Sequence, residues 1–276
     1  MSADPWPLTE EFDWEGDTVR WVSRGSGPPV VMCHGTPWSS YVWRETAEQL
    51  VSDHTVFLWD MLGYGSSDKP DGDVSLAVQG RVLEALLGHW DVGSVDIVAH
   101  DYGGAVALRA HLLHGARLVS MVLADVVALR PWGSAFFRLV GENPEAFSNL
   151  PGHLHKALVG AYVAGASYRP VSSEVHRALV APWLGEEGQP AFYRQISQGD
   201  QRYTDEIEHL YSSIDIPTLI VWGEADDWVP VTQAQRLRQL IRGSRLEVIG
   251  EAGHLIQEDR PHAFSALVAE WLRSRH

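Results

Sequence analysis

Three residues of this chain have the types and the spacing to break a covalent bond together: Asp101, Asp226 and His254. Asp101 lies in "VDIVAHDYGGAVALR", where a β-branched apolar run stops at Ala99 and an alanine-rich helical pattern begins. The run Ala99-His100-Asp101-Tyr102-Gly103 reads small-x-nucleophile-x-Gly, the spacing of a strained strand-to-helix turn that presents one side chain. Small residues are required because such a turn packs tightly against its neighbours, and the helix that follows aims free N–H groups at the same spot. An aspartate could also serve there as a plain helix cap. Against that reading, "VWGEADDWVP" and "EAGHLIQED" each follow a predicted strand and supply Asp226 and His254. "CHGTPWSSYVWR" follows an early strand, and its His-Gly turn offers the N–H of Thr36 to the elbow. Capping does not account for four motifs at four strand ends.

A carboxylate at the bend selects a particular reaction. An aspartate of ordinary pKa, about 4, is ionised at neutral pH and attacks without the help of a base. Attack on an ester carbonyl would give a reactive anhydride. Attack on an sp³ carbon bearing a leaving group gives a stable alkyl ester. A histidine oriented by a second carboxylate can then activate water to hydrolyse that ester. Backbone N–H donors facing the oxyanion contribute about 3 kcal/mol each. Carbon–halogen bonds and epoxides are therefore the expected targets, and the chain order nucleophile, acid, histidine is one that such triads use.

The elements that position these residues read as an α/β chain. Strands are expected at Val19–Ser23, Pro29–His34, Thr55–Asp60, Val95–Ala99, Ser120–Asp125, Thr218–Gly223 and Leu246–Gly250. Helical patterns lie between them, which predicts a mostly parallel sheet with crossover helices. From Val127 to Ser213 the alternation breaks into helical segments interrupted by proline and glycine, with no convincing strand. We expect a core of residues 1–126 and 214–276, with residues 127–213 inserted as a helical cap.

Composition bounds the rest. A net charge of −15, with 45% hydrophobic and 21% charged residues, describes a soluble globular chain and disfavours nucleic-acid or anionic-membrane partners. The single cysteine, Cys33, ends an apolar run and reads as a small buried residue. The N-terminus lacks a basic start and an apolar stretch, so a cytoplasmic location is expected. The scattered histidines suggest no metal site, and the chemistry above needs no cofactor.

Taken together, "HGTPWSSYVWR", "WDMLGYGSSDKP", "AHDYGG", "WGEADDWVP" and "GHLIQED" resemble the motif set of α/β-hydrolases with an aspartate nucleophile. That group includes haloalkane dehalogenases, fluoroacetate dehalogenases and epoxide hydrolases. The resemblance implies Asp101 as nucleophile, Asp226 as acid and His254 as base, with the N–H groups of Thr36 and Tyr102 as oxyanion donors. The spacing Gly223-x-x-Asp226-x-x-x-Pro230 favours Asp226 over Asp227 as the acid. Asp125 is a further alternative, since some relatives place the acid after that strand.

The leaving group decides between activities. A halide wants N–H donors, whereas an epoxide oxygen wants a proton from a phenol. Dehalogenases of this group usually carry a tryptophan directly after the nucleophile, where this chain has Tyr102. "AFYRQ" resembles the segment that carries an epoxide-activating tyrosine, which implies Tyr193, with Tyr162 or Tyr168 as its partner. Trp38, Trp132 and Trp183 are the candidate halide donors or pocket walls, and His34 and His100 flank the pocket motifs. The expectation is an epoxide hydrolase acting on a small molecule, with a haloalkane or haloacid dehalogenase as the alternative. A non-catalytic hydrolase-fold binding protein and a serine-type esterase are the remaining readings.

Overall fold

The structure, a computed structural model, describes residues 4–275. Eight strands form one sheet: β1 (Glu10–Trp14), β2 (Asp17–Gly25), β3 (Pro29–Cys33), β4 (Thr55–Trp59), β5 (Val95–His100), β6 (Leu118–Ala124), β7 (Thr218–Gly223) and β8 (Arg245–Ile249). Their order is β1-β2-β4-β3-β5-β6-β7-β8, with β1 and β2 antiparallel and all pairs from β4 to β8 parallel. Every residue of β5 and β7 is buried, as in strands covered on both faces, and the acid among them, Asp96, accepts the Ser120 hydroxyl at 2.6 Å. The mixed, mostly parallel sheet expected from the alternation is therefore present.

One strand escaped the sequence reading. "EEFDW" holds three acids, which disfavour strand, yet it forms β1. Its pairing with β2 supplies the ladder, with Phe12 opposite Val19. The two-residue turn Glu15-Gly16 closes the hairpin with both residues at positive φ, 55° and 97°.

Register brings the strand ends together. Cys33 pairs with Ala99, His100 with Ala124, and Gly223 with Ile249, so the loops after β3, β5, β7 and β8 open at the same carboxyl edge. Between β6 and β7 the chain forms helices Ala135–Glu142, Pro144–Ser148, Gly152–Ala164, Ser173–Val180, Gly185–Ser197 and Arg202–Glu208. This insertion contains no strand among the described residues. It is tied to the helix that follows β5, Tyr102–His114: buried Arg109 donates to the Tyr203 carbonyl at 2.8 Å and pairs with Glu206. Among the described residues no helix is long and apolar enough to cross a membrane.

Candidate active site

Asp101 sits between β5 and helix Tyr102–His114 with φ 51° and ψ −121°, a conformation that costs a non-glycine residue on the order of 1–3 kcal/mol. Close packing enforces it. A Cβ on Gly103 would lie 2.2 Å from the Cys33 carbonyl, and one on Gly35 would lie 2.3 Å from Asp101 Oδ1. Although Asp101 occupies the N-cap position, its side chain makes no capping bond. Its carboxylate is held from outside the helix instead. The Thr36 N–H donates to Oδ1 at 2.7 Å, and His254 Nε2 lies 3.1 Å from Oδ2. Tyr102 is the first residue of the helix, where a backbone N–H has no intrahelical partner.

His254 is itself held from behind. Its Nδ1–H donates to Asp226 Oδ2 at 2.8 Å, and Asp226 Oδ1 accepts the N–H groups of Trp228 and Val229 at 2.8 and 2.9 Å. All three triad side chains are at most 5% exposed. Burial alone would lower the pKa of His254, but the carboxylates of Asp226 and Asp101 outweigh it and hold the imidazole well above its usual range. Burial would likewise raise Asp101, yet the hydrogen bond and charge of His254, with the Thr36 N–H, keep its carboxyl below the ordinary value. Asp101, His254 and Asp226 thus lie in one line, in which the imidazole is biased toward its protonated form.

Asp125, the other acid considered, ends β6 at φ 46°. One of its oxygens accepts the Gly223 N–H at 2.7 Å, and the other has no partner among the described residues. Burial and the neighbouring charge of Asp226 push its pKa well up. Asp227 does not contact His254; it lines the cavity described next.

A cavity of about 300 Å³ opens onto Asp101 between the strand ends and the insertion. Thr36 and Tyr102 line it from the core, Trp132, Phe137 and Tyr162 from the insertion, and Trp228 from the loop after β7. The Tyr102 hydroxyl is buried without a partner, and no hydrogen bond holds the Tyr162 hydroxyl among the described residues. Burial raises both phenols well above their usual pKa, with the charge of Asp101 adding to it, so both remain neutral O–H donors.

Several expected pocket residues lie elsewhere. Tyr193 is fully buried inside the insertion, where its hydroxyl bonds to His155 Nδ1 at 2.8 Å and burial pushes its pKa to about 12. Its helix turns that face inward rather than toward Asp101. Tyr168 is half exposed at the surface, beyond the end of helix Gly152–Ala164. Trp183 does not line the cavity and donates its indole N–H to the Pro37 carbonyl at 2.7 Å. Trp132 does line it, but its N–H is committed to Thr204 Oγ1 at 2.8 Å. Trp38 is buried off the cavity wall and stacks on Trp228. His34 is buried beneath the loop after β3: its Nδ1–H donates to the Gly35 carbonyl, and its Nε2 accepts the Met61 N–H. His100 Nε2–H donates to the His254 carbonyl at 2.8 Å, which fixes the loop of the triad histidine.

Trp228 was missed. Its ring stacks on His254 at 5.1 Å between centroids, and Tyr162 lies against it at 4.6 Å. An aromatic face beside an imidazolium stabilises that cation and keeps water from its flank. Its position in "DDWVP", two residues after the acid, was the available signal.

With this geometry in view, the comparisons are consistent. The alpha/beta hydrolase fold family model matches residues 28–261, and the chain belongs to that family. A crystal structure of an alpha/beta hydrolase fold protein from Burkholderia ambifaria is 46% identical, covers 96% of this chain and 98% of its own, and superposes with a TM-score of 0.93. Haloalkane dehalogenase 2 of Mycobacterium tuberculosis is 25% identical over 94% of this chain and 93% of its own length. A cis-3-alkyl-4-alkyloxetan-2-one decarboxylase of Shewanella oneidensis is 28% identical over 88% of this chain and 81% of its own.

Proposed function

We propose that this hydrolase opens small sp³ carbon electrophiles through an alkyl ester on Asp101, and that epoxides are its substrates. One observation carries the reading: Asp101 faces the cavity with each carboxylate oxygen separately held, and the same cavity is lined by Tyr162, whose hydroxyl has no hydrogen-bond partner among the described residues. In this proposal residues 1–126 and 214–276 form the core and residues 127–213 the cap.

Oδ2 of Asp101 attacks an epoxide carbon, and the C–O bond breaks toward Tyr162. Even a phenol of raised pKa is a better acid than an aliphatic alcohol, so this hydroxyl can donate to the forming alkoxide. The imidazolium of His254 supplies the proton that the new hydroxyl keeps. Esterification removes the Asp101 charge that had held this proton, leaving a neutral base when water must be activated. Water then adds to the ester carbonyl, its proton passes to His254, and charge collects on Oδ1 opposite the Thr36 and Tyr102 N–H groups. Collapse releases the diol and restores the resting line of charges.

The second reading, a dehalogenase with the same intermediate, is favoured by the similarity to haloalkane dehalogenase 2. Of the expected halide donors Trp132 and Trp183 are already bonded, while the Trp38 N–H has no partner among the described residues. An intact-mass measurement on the His254→Gln variant separates the two. Incubation with styrene oxide should add the whole epoxide mass to the protein. Addition of a butyl group from 1-bromobutane, with no adduct from the epoxide, would make the protein a dehalogenase. No adduct from either compound would defeat the Asp101 ester.

A further inference from the structure

Gln195 lies on the cap helix Gly185–Ser197, 3% exposed, and reaches the loop after β3. Its Nε2 donates to the Phe192 carbonyl at 3.0 Å, which leaves Oε1 turned outward as an acceptor. That one oxygen accepts the Thr36 hydroxyl at 2.6 Å and the Tyr64 hydroxyl at 3.1 Å. Trp183, also from the cap, grips the next residue by donating to the Pro37 carbonyl at 2.7 Å. Residues 36 and 37 are thus each held by a buried cap side chain. The Thr36 N–H, on Asp101 Oδ1 at 2.7 Å, belongs to that same clamped segment.

We infer that Gln195 is a positioning residue for ester hydrolysis, acting through Thr36. This rests on the Asp101 ester proposed above. The two chemical steps ask different things of the Thr36 N–H. During alkylation Asp101 begins as a carboxylate and loses its charge, so a donor on Oδ1 gives little advantage. During hydrolysis a water oxygen bonds to the ester carbon, the carbonyl electron pair moves onto Oδ1, and the water's proton goes to His254. The donor then meets a full negative charge, and its placement matters most. Loosening Thr36 should slow the second step and spare the first.

The test compares Gln195→Met, which keeps the side chain's volume but removes the acceptor, with Thr36→Val, which removes the donor from the other side. Gln189→Met, on the same helix but bonded to the Ser148 and Leu150 carbonyls, serves as the control. Rapid quenching with styrene oxide or 1-bromobutane, followed by intact mass, reports ester formation and decay separately. In Gln195→Met and Thr36→Val the decay should slow by about 10- to 100-fold with formation within about threefold, so that ester accumulates. The double variant should add little to either single change, because both remove one shared interaction. Should Gln195→Met fail to fold, Thr36→Val carries the same expectations. A second readout needs no substrate: the Thr36 amide proton resonance, downfield through its bond to a carboxylate, should move upfield in Gln195→Met and stay in place in Gln189→Met. Equal slowing of both steps, or an unmoved amide resonance, overturns the inference. If neither compound alkylates the protein while the amide resonance moves, the ester reading falls and the positioning of Thr36 by Gln195 stands.

Discussion

The strand-end loops and the cap reach the same cavity by different means. Thr36, Asp101, Asp226 and His254 leave parallel strands whose register fixes where each loop begins, so their convergence follows from backbone pairing. The cap presents side chains from helices, where a small rotation exchanges one face for another. Tyr162 and Tyr193 show the result. Tyr162 faces the cavity, whereas Tyr193 is turned into the cap interior against His155. In the proposed mechanism the core therefore carries the ester chemistry, and the proposed cap selects the leaving group and the substrate shape.

The sharpest way to break this division is to alter the acid. Asp226→Asn should lower kcat/KM by about 10⁴-fold, because His254 loses the carboxylate that orients it. Asp125→Asn should stay within about threefold, since the His254 Nδ1–H is bonded to Asp226 while Asp125 accepts the Gly223 N–H. Steady-state rates on the substrate found by mass spectrometry decide this, and the reverse pattern would make Asp125 the acid.

A smaller effect is expected in the cap. Tyr162→Phe should slow ester formation from an epoxide by about 100-fold, as loss of one proton donor does. Tyr193→Phe should leave that rate nearly unchanged and lower stability by about 1 kcal/mol, through its lost bond to His155. Single-turnover mass measurements and urea unfolding read the two outcomes. A slow Tyr193→Phe variant with intact Tyr162→Phe would restore the assignment expected from "AFYRQ".

The mildest test is pH. Ester hydrolysis needs neutral His254, so its rate should rise up to about tenfold per unit through the histidine pKa of the ester form, which lies below the resting value because the Asp101 charge is gone, and then level off. Stability should run the opposite way. A pKa raised on folding contributes fully below the ordinary value of 6.5 and is lost as pH rises through the folded value. The lowered pKa of Asp101 contributes above its ordinary 3.8 and is lost as pH falls through its own folded value. The two shifts are largely one shared interaction, seen from each partner. Urea midpoints that climb together with the rate from pH 6 to 9 would contradict this (pH limits of roughly that span cover the imidazole range).

These contrasts also explain what could be read in advance. The sheet, the elbow and the three loops were legible because each depends on local spacing: an apolar run, a small-residue turn, an acid three residues after Gly223. β1 was obscured by Glu10, Glu11 and Asp13, whose charges hide a strand held by its hairpin partner. The cap's inventory was legible and its orientation was not. Whether Trp132, Trp183 or Tyr193 faces Asp101 depends on packing between residues far apart in the chain, as with Gln195 and Thr36.

The helix Tyr102–His114 begins at the nucleophile and carries Arg109 two turns on, where it grips Tyr203 and Glu206 of the cap. Cap and nucleophile are thus mounted on one rigid rod. Swinging the cap away as a whole would break that grip and the bonds of Gln195 and Trp183 at the same time. Phe137 lines both the main cavity and a smaller one beside it, so a turn of that one side chain would alter the space before Asp101 without breaking any of those bonds.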